Sequence, residues 1–373
     1  MAGSGPASGR SGPPGTWREA ALAGNGPLVS HQPAAQHPAG HARADQRGKP
    51  PEPTAQAGPA GRAGPAGPPA RRVDSPTEQR NPRTLDIDTL PTLPLLERIN
   101  DEDSLVAPAV RSALPLLAGV VDEACRRLRA GGQVHYFGSG TSGRLAFLDA
   151  AELIPTFGLP AGTVVAHMAG GERALVQPVE DAEDDRASGA ADAAAVTAAD
   201  VAIGLSASGS APYVGAALER AGQAGAFTVL VTSNPSAPLR ALAGVCVCAD
   251  TGPEAITGST RLKAGTAEKM LLNAFSTALM VRMGRTFSNL MVHMAPANAK
   301  LRARQVHILE QATGYPAAEC VSALGAADGD LRVALVTLLS GAGASASRDA
   351  LRQTGGVVRA ALDHLAAAAP RPQ

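Results

Sequence analysis

Aromatic residues make up only 3% of this 373-residue chain, and its charges cancel, with 33 Lys plus Arg against 33 Asp plus Glu. A neutral chain exerts no long-range pull on nucleic acid or on an anionic membrane. So few rings leave little with which to stack bases. Neither partner is therefore expected. Cysteine is scarce too: Cys125, Cys246, Cys248 and Cys320 form no C-x-x-C pair and no zinc array. "GVCVCAD" reads as a strand with both sulfurs on one side as small apolar groups, which suits a reducing compartment and a cytoplasmic location. No apolar run approaches the roughly 18 residues of a spanning helix. Nor does the apolar segment of a secretory signal follow Met1.

Residues 1–73 have few aliphatic side chains and are dominated by Gly, Pro, Ala, Ser and Arg. Such a segment cannot bury enough apolar area to offset its ordering entropy, so it reads as a disordered, low-complexity extension. Its few acidic residues would suit a targeting peptide, but its Pro and Gly oppose the amphipathic helix that role needs. From there the chain is rich in Ala, Leu and Val and long enough for a sizeable core.

An arm and helices are expected over 74–132, with one helical pattern from Ser104 to Arg129 that Pro115 kinks or divides. Short apolar strands then alternate with helices: 133–138, 163–171, 200–209, 226–234 and 244–250, with an acidic helical stretch to Ala198 and a long helix over 266–284. That alternation predicts an α/β fold, a doubly wound and mostly parallel five-stranded sheet spanning 133–290. A helical cap follows over 291–373.

Two strand ends share one design. The first strand runs into "GSGTSGR" and the third into "SASGSAP". Backbone N–H groups at a helix start are free, and the dipole there favours an anion. Hydroxyls of Ser139, Thr141, Ser142, Ser206, Ser208 and Ser210 add donors, while Gly140 and Gly209 permit close backbone approach. Gly138 to Gly143 also spells G-x-G-x-x-G. A dinucleotide, however, wants an acidic residue ending the second strand, and that end reads "VVAHMAGGE". A small phosphomonoester explains the hydroxyls better. His135 and His167 read as packed strand residues rather than metal ligands.

"GSGTSGR" and "SASG" resemble the sugar isomerase (SIS) domain. Longer strings, "TEQRNP" (77–82), "GSGTSGRLAFLDAAELIPTFG" (138–158), "AGGERALVQPVEDAEDD" (169–185), "GSTRLKAGTAEK" (258–269) and "NLMV" (289–292), resemble the N-acetylmuramic acid 6-phosphate etherases. The likeness runs from about residue 74 to 367. It implies cleavage of the D-lactyl ether to N-acetylglucosamine 6-phosphate and D-lactate, by elimination then hydration. This is a carbon–oxygen lyase reaction of amino-sugar catabolism and cell-wall recycling, without cofactor or metal. It also implies a homodimer with sites near the subunit interface. The catalytic carboxyls fall on Glu152 and Glu183, and further substrate contacts on Glu78 and Asn81. Lys263 and Thr266, at the start of the long helix, are placed to hold the sugar's anionic groups. Apolar neighbours, "RLAFLDAA" and "LIP", would desolvate Glu152 and keep it a neutral acid.

The chain departs from the family in four places. Ser210-Ala211 stands for the usual Arg-Thr, His293 for Asp, Ala297 and Ala299 replace Thr and Glu, and "DAAELIP" carries Ala151 and Leu153-Ile154. Loss of the arginine bears on substrate affinity. A sugar-phosphate-sensing SIS regulator without catalysis is the alternative.

Overall fold

The structure is a computed structural model that describes residues 75–293 and 299–368. The expected extension over 1–73 and the Ala297 position lie outside the described residues. Five strands, β1 (Val134–Gly138), β2 (Val164–Met168), β3 (Val201–Leu205), β4 (Phe227–Thr232) and β5 (Val245–Cys248), form a sheet ordered β2-β1-β3-β4-β5. Every pairing in it is parallel.

Both faces are covered, which is why the strands are apolar throughout. Val134, Tyr136, Ile203, Val229 and Val231 point to one layer, made by α2 (Val106–Arg129), α3 (Gly140–Phe157) and α7 (Lys263–Arg282). Phe137, Ala202 and Leu230 point to the other, built on α6 (Pro212–Gln223). Two short helices, α4 (Arg173–Val176) and α5 (Arg186–Asp192), follow β2.

Local chemistry sets several boundaries that the sequence pattern missed. A helix, α1 (Thr92–Asp103), precedes α2, and Pro115 sits inside one continuous α2. Val106, Val110, Ala113, Leu117, Val120 and Ala124 hold α2 to the core at helical spacing on both sides of that proline. Contrary to the expectation from apolar runs, the stretch Thr92–Arg129 is long and apolar enough to cross a membrane by length and composition. Its apolar stripe is the one just named, spent on the core.

The acidic stretch before Ala198 is not one helix: it is helical over α4, over a single 3-10 turn at Ala182–Asp184 and over α5, and no helix follows Asp192 within it. The Asp200 carboxylate accepts from the Thr197 N–H and hydroxyl and from the Gln133 N–H, fixing a turn instead. At the other end, α7 begins at Lys263 because buried Glu254 accepts from the N–H groups of Lys263 and Ala264.

A small hairpin, β6 (Thr286–Phe287) and β7 (Leu290–Met291), leads to five helices: α8 (Ala299–Thr313), α9 (Ala317–Ala326), α10 (Leu331–Ser340), α11 (Ala344–Gln353) and α12 (Val358–Ala368). They close a separate core around Leu309, Leu335, Leu351 and Val358.

Candidate functional site

Strand β1 lies between β2 and β3, so the chain leaves β1 toward one side of the sheet and β3 toward the other. Ligands in open parallel sheets bind at this switch point, outside the carboxyl ends of the strands. Here the loops after β1 and β3 open into one cavity of about 260 Å³. Ser139, Gly140, Thr141 and Ser142 line it from the first loop, and Ser206, Ala207 and Ser208 from the second. Gly258, Thr260, Glu78 and Glu183 complete the wall.

The arm over residues 75–84 is what brings Glu78 there. Gly258 donates its N–H to the Thr77 carbonyl, Asn81 donates to the Pro253 carbonyl and Thr84 to the Ala255 carbonyl. In the second loop the Ser208 and Ser210 hydroxyls bond each other at 2.8 Å, and Asn234 donates to the Ser208 carbonyl.

Backbone crowding explains the glycines of the first loop. A Cβ on Gly138 would stand 2.6 Å from the Gly143 nitrogen, and one on Gly143 would stand 2.2 Å from the Met168 sulfur. The loop is thereby pressed against the sheet edge. Gly138→Ala is expected to cost about 1–3 kcal/mol, because backbone must move to admit the methyl. A phosphomonoester, the ligand expected from the hydroxyl loops, should bind at least about tenfold more weakly for the same reason, since a backbone shift misplaces the donors. Thermal unfolding and calorimetric titration read the two effects.

A second cavity, about 570 Å³, shares Ser139, Gly140 and Glu183 with the first. Gln177 to Asp184 also line it. Glu183 therefore stands at the junction. Water reaches it through the cavity, yet surrounding protein desolvates it and raises its carboxyl above the usual range. Neighbouring Asp184 pushes the same way, and a hydrogen bond with Ser139 opposes both.

Other expected contacts land elsewhere. Lys263 is wholly buried, and its Nζ donates to Glu102 at 2.6 Å. Arg83 donates to the same carboxylate at 2.5 and 2.8 Å. This ion triad ties the arm, α1 and α7 together, so Lys263 serves structure rather than facing a ligand. The Arg83 hydrogen bond, ahead of those from Lys263 and Asn81, holds the Glu102 carboxyl down to about 2 against the effect of burial. Asn81 is buried in that network and does not line the cavity. Thr266 is exposed and donates to the Leu262 carbonyl; Thr260 takes the place expected for it. Gly209 and Ser210 belong to the second loop but are not among the residues that line the cavity.

Glu152 corrects its own rationale. Helical periodicity turns Ala146, Asp149, Leu153 and Phe157 inward, which leaves Glu152 exposed. It stands three turns beyond Gly140, about 18 Å along α3. The buried carboxyl of this helix is Asp149, which accepts from the Tyr136 hydroxyl at 3.0 Å and the Ser276 hydroxyl at 2.8 Å. His135 and His167 stack with Phe137, their ring nitrogens 3.1 Å apart, and burial lowers both, His167 to about 4. Among the described residues, no group of three or more His, Cys, Asp and Glu is placed to hold a metal ion.

A parallel 2-1-3-4-5 sheet with twin hydroxyl loops at its switch point defines an α/β protein of the SIS class. In agreement, a family model described as the glucokinase regulatory protein N-terminal SIS domain matches residues 116–222. Similarity to whole proteins is more particular. An N-acetylmuramic acid 6-phosphate etherase of Thermobifida fusca (strain YX) is 58% identical over 272 residues, covering 73% of this chain and 90% of its own. That of Enterobacter sp. (strain 638) is 47% identical over 290 residues, 77% of this chain and 98% of its own. Among solved structures, a phosphoheptose isomerase from Francisella tularensis aligns with 50% of this chain and 98% of its own, at 17% identity and a TM-score of 0.39. The chain belongs to the N-acetylmuramic acid 6-phosphate etherase family.

Proposed function

We propose that the protein cleaves the D-lactyl ether of N-acetylmuramic acid 6-phosphate, giving N-acetylglucosamine 6-phosphate and D-lactate. The observation that carries this reading is the junction at Ser139, Gly140 and Glu183. A phosphate held by the hydroxyl loops of the smaller cavity leaves the sugar within reach of one carboxyl and the lactyl group in the larger cavity.

The chemistry needs proton transfer at two places. In the open-chain sugar, C2 lies beside the aldehyde, so its proton can pass to a base. The C3–O bond then breaks, its electron pair leaving with lactate once the oxygen is protonated, and a C2=C3 double bond remains. Water adds hydroxide to C3 and a proton to C2. Such a step sequence is a carbon–oxygen lyase reaction followed by hydration, and positioned carboxyls suffice for it. Glu183 is the one at hand, serving the C2 proton or the incoming water.

Glu152, the family's proton donor by resemblance, is exposed and lines neither cavity, so on this reading it serves the site of another copy of the chain. This fits a homodimer with sites near the subunit interface. Leu114 and Leu116 on α2, and Leu148 and Ile154 on α3, leave apolar surface that a second copy can cover. Glu152→Gln is then expected to lower turnover at least about tenfold. Full turnover would remove Glu152 from the mechanism without touching the reaction. A reducing, cytoplasmic setting suits the free cysteines.

Run in deuterium oxide, the reaction should place deuterium at C2 of N-acetylglucosamine 6-phosphate. A product with only hydrogen at C2 would point instead to direct displacement at C3. The match to a regulatory protein's SIS domain favours a second reading, a sugar-phosphate sensor without catalysis. That match spans only residues 116–222, three of the five strands, whereas kinship with the etherases covers 90% of a relative's length.

A further inference from the structure

Behind the hydroxyl loops sits a carboxyl that the proposed reaction does not use. Glu268, in the second turn of α7, is 1% exposed. Its Oε1 accepts from the Ser142 hydroxyl at 3.0 Å, and its buried Oε2 has no partner among the described residues. Ser142 itself lines the smaller cavity.

A serine hydroxyl has one hydrogen. When Ser142 gives it to an ionised Glu268, only lone pairs remain for the cavity, and a phosphate oxygen also offers only lone pairs. When Glu268 carries a proton, the acid can donate to Ser142 Oγ. Ser142 then turns its own hydrogen toward the ligand.

We propose that Glu268 is a positioning residue that sets the direction of the Ser142 hydroxyl, so that the cradle takes up one proton as it closes on a phosphate dianion. The inference rests on the reading of the cradle as a phosphomonoester site. It extends that reading by making affinity fall with rising pH.

Among the described residues no charged group pairs with Glu268. On its own helix, Lys263 is committed to Glu102 and Lys269 is exposed. From α3, Arg144 donates to the Ala174 and Leu175 carbonyls, Asp149 is engaged by Tyr136 and Ser276, and Glu152 is exposed. On α2, Arg111 is exposed, Asp122 pairs with Arg282, and Glu123 with Arg126 and Arg127. Strand β4 carries no charged side chain, and Glu254 caps the helix start. Across the cavity stand Glu78 and Glu183. Burial raises the Glu268 carboxyl to about 7, and only the Ser142 hydrogen bond opposes it. The switch thus lies in the physiological range.

The test is calorimetric titration of the full chain with N-acetylglucosamine 6-phosphate, in paired buffers of different ionisation enthalpy. Wild type and Glu268→Gln are compared, so that the ligand's own ionisation cancels. The wild type should take up close to one more proton than the variant at about pH 8, and lose affinity by about tenfold per pH unit above that. Glutamine presents a permanent amide donor to Ser142. The variant should therefore bind more tightly than wild type at about pH 9 and show no such slope, a gain that a merely structural residue would not give. Equal proton uptake and equal slopes would overturn the proposal while leaving the phosphate site standing. No binding by either protein would overturn the site and the proposal together. Should the variant not fold, infrared difference spectra of the wild type at about pH 8 decide it. A protonated-carboxyl band should grow on ligand addition, and an unchanged band would overturn the proposal.

Discussion

Glu183→Gln should lower turnover of N-acetylmuramic acid 6-phosphate by about 10²–10⁴, the usual worth of a positioned acid or base. Glutamine keeps the size and a hydrogen-bonding tip but carries no exchangeable acid proton. Binding of N-acetylglucosamine 6-phosphate should change little, because on the proposed reading the phosphate is held by the loops at Ser139–Ser142 and Ser206–Ser208 of the cavity rather than by this carboxyl. The pH dependence supplies an independent check. Desolvation raises the Glu183 carboxyl, so the wild-type rate should carry a titration above the ordinary carboxylate range. That limb should vanish in the glutamine variant. A variant that turns over at the wild-type rate would remove Glu183 from the proton transfers.

The largest effect on stability is expected at Glu102→Ala. The substitution strands the Lys263 ammonium in a wholly buried site and also frees Arg83. Breaking a buried ion pair from one side costs about 3–5 kcal/mol, because the remaining charge keeps its desolvation penalty. A fall in melting midpoint of roughly 10 °C should follow.

The same triad gives an acid dependence with a definite sign. The Glu102 carboxyl is lowered from 4.5 to about 2, so the folded state binds fewer protons than the unfolded chain between those values. Its contribution is complete above 4.5 and is lost as pH falls toward 2. Urea unfolding across that range should show wild type weakening toward acid and the Glu102→Ala protein weakening less. Parallel curves would mean that the triad contributes little.

How much of this was legible in the sequence follows from what each signal encodes. The five strands were readable because "VHYF", "VVAHM", "VAIGL", "FTVLVT" and "VCVC" are short apolar runs between turn residues, and the structure places strands on each. The two loops that line one cavity were readable too, since hydroxyls and glycines at two strand ends mark helix starts. Long-range partners were not. Lys263 looks like a surface lysine because its counter-charge, Glu102, lies in "NDEDS" far back in the chain. Glu268 looks like a solvated helix residue in "TAEK", though it is buried and, among the described residues, accepts from Ser142 of the first loop. Glu152 was misjudged differently. Its sequence neighbours are apolar, but burial on a helix follows the 3.6-residue period, and counting from Ala146 and Asp149 turns Glu152 outward.

One measurement bears on the central claim most directly: D-lactate release when the purified protein is given N-acetylmuramic acid 6-phosphate. The account predicts continuous turnover, with one N-acetylglucosamine 6-phosphate formed for each D-lactate. A folded protein that binds N-acetylglucosamine 6-phosphate yet releases no D-lactate would contradict it, and would leave a sugar-phosphate sensor in place of an enzyme.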